Sequence, residues 1–178
     1  QSLIFLSCTK QEPFYSFILV PDTQYLSYNY PKVFKKEMNW IVKNKESLNI
    51  QYVFHMGDIT DQNQEFEWKV ADTCFKKLED AGIPYSLVYG DNDIKNPYRV
   101  YDRYDGIRHT ELLNKYFPPS RFEKYGSSIP YEFYEPGKID NYFTKFKYDG
   151  DKYIILNLEI TPRNSVLHWA DSVINHNT

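Results

Sequence analysis

The central segment of the chain reads IQYVFHMGDITD over residues 50–61. Its first seven residues are a β-rich apolar run, and the run ends in a polar turn that contains Asp58 and Asp61. Hydrophobicity that is continuous rather than alternating is typical of a strand covered on both faces, as in a parallel sheet. The segment therefore predicts a buried strand with acidic residues at its carboxyl end.

The same plan occurs once before this segment and once after it. Residues 14–20 form an apolar run that ends in a turn with Asp22 and Gln24. Residues 84–89 form another, which ends in the turn Gly90-Asp91-Asn92-Asp93. Each interval between the three runs is long enough for one helical crossover, so the sequence predicts a parallel βαβαβ layer.

Helical spacing of apolar residues fills both intervals. It predicts one helix around residues 34–42 and a second around residues 66–78, with Gly82 as a plausible stop. Cys74 lies on the apolar stripe of the second helix and is interpreted as a small core residue. His55 lies within the central strand and is also interpreted as a core residue rather than a metal ligand.

The later part of the chain is less regular. Residues 94–136 read as a long structured insertion, with a helix predicted near residues 110–117. A hairpin is predicted for residues 141–158 around the turn Asp149-Gly150-Asp151, and a final helix for residues 166–174. We predict a single domain over residues 14–178.

Tyrosine and arginine are frequent in the insertion, just after the third polar turn. They could contact a phosphate or a stacked ring, or they could belong to a solvated loop with aromatic anchors. The residues are Tyr98, Arg99, Tyr101, Arg103, Tyr104 and Arg108.

Composition excludes several classes of protein. The 178 residues carry 24 acidic and 21 basic side chains, and this near balance argues against a polycationic nucleic-acid binder. With 42% hydrophobic residues the chain is of ordinary globular type, and no apolar run approaches the ~20 residues that a membrane span needs. Two cysteines do not make a disulfide framework.

Residues 1–13 differ in character from the rest. A short apolar run precedes Ser7-Cys8, and a polar spacer follows. This pattern resembles the end of a bacterial lipoprotein signal peptide, in which Cys8 would carry the lipid and the following residues would act as a tether. It implies an exported protein of the bacterial cell envelope; the alternative is a buried edge strand with an inert cysteine.

The three polar turns carry the candidate chemistry. In an open α/β sheet, ligands bind at the carboxyl ends of the strands, where Asp22, Asp58 and Asp91 would meet. Gathered carboxylates repel one another and lose hydration, so we expect a cation among them. Oxygen ligands of this kind suit divalent Mg, Mn, Fe or Zn. For any single turn the alternative is a loop aspartate or a helix cap.

Taken together and in chain order, the three turns resemble the first three motifs of the calcineurin-like metallophosphoesterases, written D-x-H, G-D-x-x-D and G-N-H-D. The corresponding segments here are Asp22-x-Gln24, Gly57-Asp58-x-x-Asp61 and Gly90-Asp91-Asn92-Asp93. The resemblance extends over about residues 14–175. It implies an α/β fold with a β-sandwich flanked by helices, here incomplete at the C-terminal side.

The resemblance also implies a site and a reaction. Asp22 and Gln24 would bind a first metal, Asp58 would bridge two metals, and Asp91 would bind the second. The cofactors would be two divalent ions of the Mn, Fe, Zn or Mg type, which hydrolyse a phosphomonoester or phosphodiester by the two-metal mechanism.

The candidate catalytic residues implied in this way are Asn92 and Asp61. Asn92 stands where the family has the histidine that helps protonate the leaving group, and Asp91 stands where it has asparagine. An amide cannot act as a general acid, but it can donate a hydrogen bond to a phosphoryl oxygen. Any activity should therefore favour esters with good leaving groups.

Histidines that the family places on later strands have no counterpart in matching context, since His109, His168 and His176 lie in other surroundings. The chain is therefore expected to be a truncated domain. Two alternatives stay open: a pseudoenzyme of the same fold that acts as an envelope binding protein, and an α/β binding domain outside the family.

Overall fold

The computed structural model of the protein describes residues 14–94 and 108–177. Its first sheet consists of β1 (Ser16–Val20), β2 (Ile50–His55) and β3 (Tyr85–Leu87). All pairings are parallel and the order is β1-β2-β3, with Leu19 opposite Phe54 and His55 opposite Leu87. The predicted parallel layer is confirmed, although its third strand is shorter than the apolar run.

The crossovers contain α1 (Gln24–Tyr28), α2 (Pro31–Lys43) and α3 (Glu65–Asp80). Proline at the first position of α2 fits a site where no backbone N–H is needed. The start of α3 is a reciprocal capping box between Gln64 and Glu67. The two long helices were predicted from their periodicity, whereas α1 was not.

The second sheet is antiparallel, in the order β4-β5-β6. It consists of β4 (Tyr131–Phe133), β5 (Tyr142–Tyr148) and β6 (Asp151–Asn157). The β5–β6 turn has positive φ at Asp149 (49°) and Gly150 (88°), as a two-residue hairpin turn requires. The hairpin was predicted; β4, inside the irregular insertion, was not.

Shorter elements precede β4, and a long helix follows β6. They are α4 (Glu111–Tyr116), α5 (Ser120–Glu123), a 3₁₀ turn (Gly126–Ser128) and α6 (Asn164–Asn177). The helices predicted around residues 110–117 and 166–174 are confirmed. Within the described ranges, no helix combines the length and the apolar character needed to cross a bilayer.

Aromatic rings join the two sheets. Tyr52 of β2 stacks on Phe146 of β5, with ring centroids 5.4 Å apart and planes 10° from parallel. The Tyr142 hydroxyl accepts from the backbone N–H of Leu87 at 2.9 Å and donates to its carbonyl at 2.9 Å. A second apolar contact lies between the parallel sheet and α3, where Phe75 packs against Tyr85 at 5.0 Å.

The last helix packs on the other face of the antiparallel sheet. Phe143 alternates with Tyr142 along β5 and contacts Trp169 of α6 at a centroid distance of 6.1 Å. The protein is therefore a mixed α/β structure in which a parallel and an antiparallel sheet are in contact and helices cover both. Residues 1–13, including Cys8, and the tyrosines and arginines of residues 98–104 lie outside the described residues.

Candidate functional site

One side chain joins the three polar turns. Asn92 donates from Nδ2 to Gln24 Oε1 at 2.7 Å and to Asp58 Oδ2 at 3.2 Å. Its backbone N–H also donates to Asp58 Oδ1 at 3.2 Å. The turns after β1, β2 and β3 are therefore in contact at one edge of the parallel sheet, where the sequence places the candidate residues.

Asp58 is the electrostatic centre of this edge. Burial raises the pKa of its carboxyl group, the hydrogen bonds from Asn92 lower it, and the charges of Asp91 and Asp22 raise it further. Both of these aspartates therefore lie close enough to act on Asp58 through space. The group that approaches Asp58 and Gln24 together is the partly positive amide of Asn92.

The backbone at the second turn is specialised. Gly57 has φ of 101° and Asp58 has φ of 48°, which is a left-handed conformation that Asp tolerates better than most residues. Gly90 packs directly against this turn. A Cβ built on it would lie 2.0 Å from Asp58 Oδ1 and 2.8 Å from the Asp58 nitrogen. Glycine at position 90 is thus required by the close approach of two turns.

Asp93 links the second and third turns through hydrogen bonds. Its fully buried carboxylate accepts from the backbone N–H groups of Ile59 (3.0 Å), Thr60 (2.7 Å) and Gly90 (2.9 Å), and from the Thr60 hydroxyl (2.8 Å). Burial raises the pKa of Asp93 to about 7. Sequence reasoning included Asp93 in the third motif but assigned it no role. In the structure its carboxylate connects the backbone of the second turn to that of the third.

Asp61 lies apart from the Asn92 contacts. Its backbone N–H donates to Glu67 Oε1 at 2.6 Å, and its carboxylate accepts from Gln62 Nε2 at 3.4 Å. Asp61 and Asn92 both line a cavity of about 600 Å³ beside the turns. The two candidate catalytic residues therefore share a surface, although no hydrogen bond joins Asp61 to Asp58.

Glu67 is a structural residue that sequence reasoning missed. It is buried in the first turn of α3, and its carboxylate accepts from the backbone N–H groups of Asp61, Gln62 and Gln64. The signal that could have revealed it is the spacing of Gln64 and Glu67 before an apolar helix, which is a capping-box pattern.

His55 is a core residue, in agreement with its interpretation from sequence. Gly57 N–H donates to its Nδ1 at 3.3 Å, so Nε2 carries the proton and donates to Thr23 Oγ1 at 2.9 Å. Burial lowers the pKa of His55 to about 3. Because Thr23 lies between Asp22 and Gln24, this neutral imidazole ties the first turn to the second.

A buried ion-pair cluster lies close enough to Tyr89, the residue before the third turn, for its charges to act on the Tyr89 hydroxyl. Glu159 accepts from Arg163 Nε at 2.8 Å and from Asn141 Nδ2 at 3.1 Å, and Arg108 Nη2 lies 3.7 Å from its Oε1. Arg108 also donates to the carbonyl of Thr161 at 2.9 Å. The insertion was interpreted either as a ligand contact or as a solvated loop. For Arg108, these contacts support a structural role.

The donors at the sheet edge suit a divalent cation in kind, since they are carboxylate and amide oxygens. Within residues 14–94 and 108–177, however, no group of three His, Cys, Asp or Glu side chains is placed so that it could hold a metal ion. A metal at this edge would therefore depend on the amide oxygen of Gln24 as well as on the carboxylates.

Comparison with known proteins identifies a bacterial relative. Over 164 residues, or 90% of its length, the chain is 31% identical to the uncharacterized protein YvnB of Bacillus subtilis (strain 168). The matched part is 12% of YvnB, so the chain spans about an eighth of this relative. No family model matches the chain.

Proposed function

We propose that this chain is a calcineurin-like phosphoesterase domain that hydrolyses a phosphomonoester or phosphodiester with two divalent metal ions. The observation that carries the proposal is the contact of all three strand-end turns through Asn92, which bonds to both Gln24 and Asp58. The mixed α/β structure with helices over both sheets is compatible with the β-sandwich of that family.

In this proposal Asp22, Gln24 and Asp58 would hold the first ion, and Asp58 and Asp91 would hold the second. Ions of the Mn, Fe, Zn or Mg type would supply Lewis acidity toward the phosphoryl group. The positive ions would also offset the repulsion between the Asp58 carboxylate and the carboxylates of Asp22 and Asp91.

Asn92 is the residue of the chain that would donate to a phosphoryl oxygen. Its Nδ2 hydrogens bond to Gln24 and Asp58, so one of these bonds must be given up for substrate. Its amide N–H is too weakly acidic to protonate a leaving group. Asp61, on the wall of the adjoining cavity, would contact the part of the substrate beyond the phosphate.

The proposal also covers the location of the whole protein. Residues 1–13 would tether the domain to the bacterial envelope through a lipid on Cys8, and the domain would act there as an exported enzyme. Labelling with radioactive palmitate, compared between wild type and Cys8→Ser, tests this part alone.

A second candidate is a pseudoenzyme of the same fold. It is favoured by the replacement of a proton donor by Asn92 and by the lack of a three-ligand acidic or histidine cluster in the described part of the chain. Such a protein would bind one ion or none and would act as an envelope-anchored binding protein.

The test combines metal stoichiometry with hydrolysis in the full-length protein. Elemental analysis after dialysis against Mn²⁺ should find two ions per chain, and p-nitrophenyl phosphate or its diester should be hydrolysed. Asp58→Ala should lose both properties. Asp80→Ala is the matched control, because Asp80 lies at the far end of α3. One ion or none without hydrolysis supports the pseudoenzyme, and unchanged metal content in Asp58→Ala overturns a metal site here.

A further inference from the structure

The cavity beside the candidate site has a distinctive lining. It encloses about 600 Å³, within the range of small-molecule sites. We call it the amide cavity, because its polar lining consists of amide and carboxyl side chains. These are Asp61, Gln62, Asn63, Gln64, Asn92 and Glu111.

The hydrogen-bonding capacity of this lining is not all used by the fold. Asn63 is occupied, since its Oδ1 accepts from Trp68 Nε1 at 2.7 Å, and Gln64 is part of the capping box. Gln62 is exposed, and its side chain makes a long bond of 3.4 Å to Asp61. An amide both donates and accepts, as a hydroxyl group does, so Gln62 and Asp61 are matched to a hydroxyl-bearing ligand.

The acidic character of the lining limits the kind of ligand that the amide cavity can accept. Among the described residues that line the amide cavity, the ionisable ones are Asp61 and Glu111, both acidic. The Asp22, Asp58 and Asp91 carboxylates lie along the same edge. A second anionic group on the ligand would be repelled, whereas neutral hydroxyls would be accepted.

We infer that the amide cavity binds a neutral sugar or polyol, and that the substrate is a phosphate ester of such a group. This inference rests on the proposed function. It assigns Gln62 and Asp61 to the hydroxyl groups. It commits to a polyhydroxyl ligand over an alkyl chain, an amine or a group with additional phosphates.

The first experiment measures specificity in the full-length protein. Glucose 6-phosphate and hexyl phosphate both release a primary alcohol, so their comparison isolates recognition of the alcohol. We expect kcat/KM to be about tenfold higher for the sugar ester, and Gln62→Ala to reduce this ratio about fivefold through a lost hydrogen bond. Asn39→Ala, an exposed amide on α2, is the matched control and should retain the ratio.

Esters of other alcohols test the commitment to a polyhydroxyl ligand. Equal or better hydrolysis of hexyl phosphate, phosphoethanolamine or 3-phosphoglycerate would overturn the inference. If p-nitrophenyl phosphate is still hydrolysed, the proposed function would survive that result.

Binding tests the cavity without catalysis. Saturation-transfer NMR with methyl α-glucoside in the presence of chelator should detect the sugar, and Gln62→Ala should weaken the signal. Binding without ester hydrolysis would reject the phosphoesterase and keep the sugar site. No saturation transfer in wild-type protein would overturn the sugar site, whatever the enzyme assays show.

Discussion

Gly90 lies against the carboxylate of Asp58 so closely that a Cβ at position 90 would fall 2.0 Å from Asp58 Oδ1. The same Cβ would be 2.8 Å from the Asp58 backbone nitrogen, so moving the side chain alone would not relieve the overlap. The glycine that ends the third apolar run is therefore part of the candidate site's architecture.

Gly90→Ala should displace Asp58 and separate the second turn from the third. We expect Mn²⁺ affinity, measured by calorimetry, to fall at least tenfold, together with a loss of stability of about 1–3 kcal/mol. Gly82→Ala is the control: its φ of 63° is costly for alanine, but no atom lies within 4 Å of the place that its Cβ would take. It should lose stability and keep its metal affinity; equal metal affinity in both variants would contradict the prediction.

Metal should stabilise the fold through Asp58. An ion that binds the native state at a hundred times its Kd adds about 2.7 kcal/mol to the free energy of unfolding, so Mn²⁺ should raise Tm and chelator should lower it. Asp58→Asn suits the φ of 48° and should fold, but Mn²⁺ should leave its Tm unchanged. A Tm of wild type that does not respond to Mn²⁺, Zn²⁺ or Mg²⁺ would remove the support for a metal site.

The residues at positions 91 and 92 of the third turn should determine how strongly the rate of hydrolysis depends on the leaving group. With Asn92 in place of a general acid, wild type should hydrolyse aryl phosphates faster than alkyl phosphates. The double variant Asp91→Asn, Asn92→His should raise kcat for alkyl esters by up to ~10²-fold and change aryl esters less. Equal rates of wild type on aryl and alkyl esters would show that leaving-group protonation is supplied elsewhere.

The sequence was informative wherever a residue's role follows from local spacing. Continuous apolar runs predicted β1 and β2, and helical periodicity predicted α2 and α3. The meeting of the polar turns followed from parallel topology and is seen in the bond between Asn92 and Gln24.

Roles that depend on distant partners could not be read in this way. The buried carboxylate of Asp93 is stabilised by backbone N–H groups of residues 59 and 60, which lie more than thirty positions earlier in the chain. Strand β4 is three residues long and exists through its pairing with β5, so no periodicity marks it. The pairing of Arg108 with Glu159 likewise joins segments that are separated by the hairpin.

Glu159 should be among the most sensitive positions for stability. It is buried, and it accepts from Arg163 and Asn141 while Arg108 lies nearby. Glu159→Ala would remove the carboxylate nearest to the buried Arg108 side chain, leaving Arg108 only its bond to the Thr161 carbonyl, and should cost about 3 kcal/mol, measured by urea denaturation. Glu159→Gln, which can still accept, should cost less.

Glu132→Ala is the matched control for this prediction. The Glu132 side chain is 58% exposed and lies 4.0 Å from Lys145 Nζ, so its loss should change stability by about 0.5 kcal/mol or less. A loss in Glu159→Ala as small as that in the control would show that the buried cluster contributes no more to stability than a surface ion pair.

Burial of His55 should contribute a loss of stability in acid. The ordinary pKa of histidine is 6.5, and burial lowers that of His55 to about 3, so between these values the unfolded chain binds a proton that the folded chain does not. His55 should therefore lower the free energy of unfolding by about 1.4 kcal/mol per pH unit as the pH drops from about 6.5 toward 3. Asp93, whose pKa burial raises to about 7, contributes a change of opposite sign, so the effect of His55 is seen in the difference between wild type and a His55 variant.

The measurement is urea denaturation of wild type and His55→Gln between pH 8 and pH 4. The variant should be less stable at pH 8, because it disturbs the contacts with Thr23 and Gly57, but it should lose less stability than wild type as the pH falls from 6.5 to 4. His168→Gln, at an exposed position of α6, should retain the wild-type slope. If His55→Gln keeps that slope as well, protonation of His55 does not contribute to the pH dependence of stability.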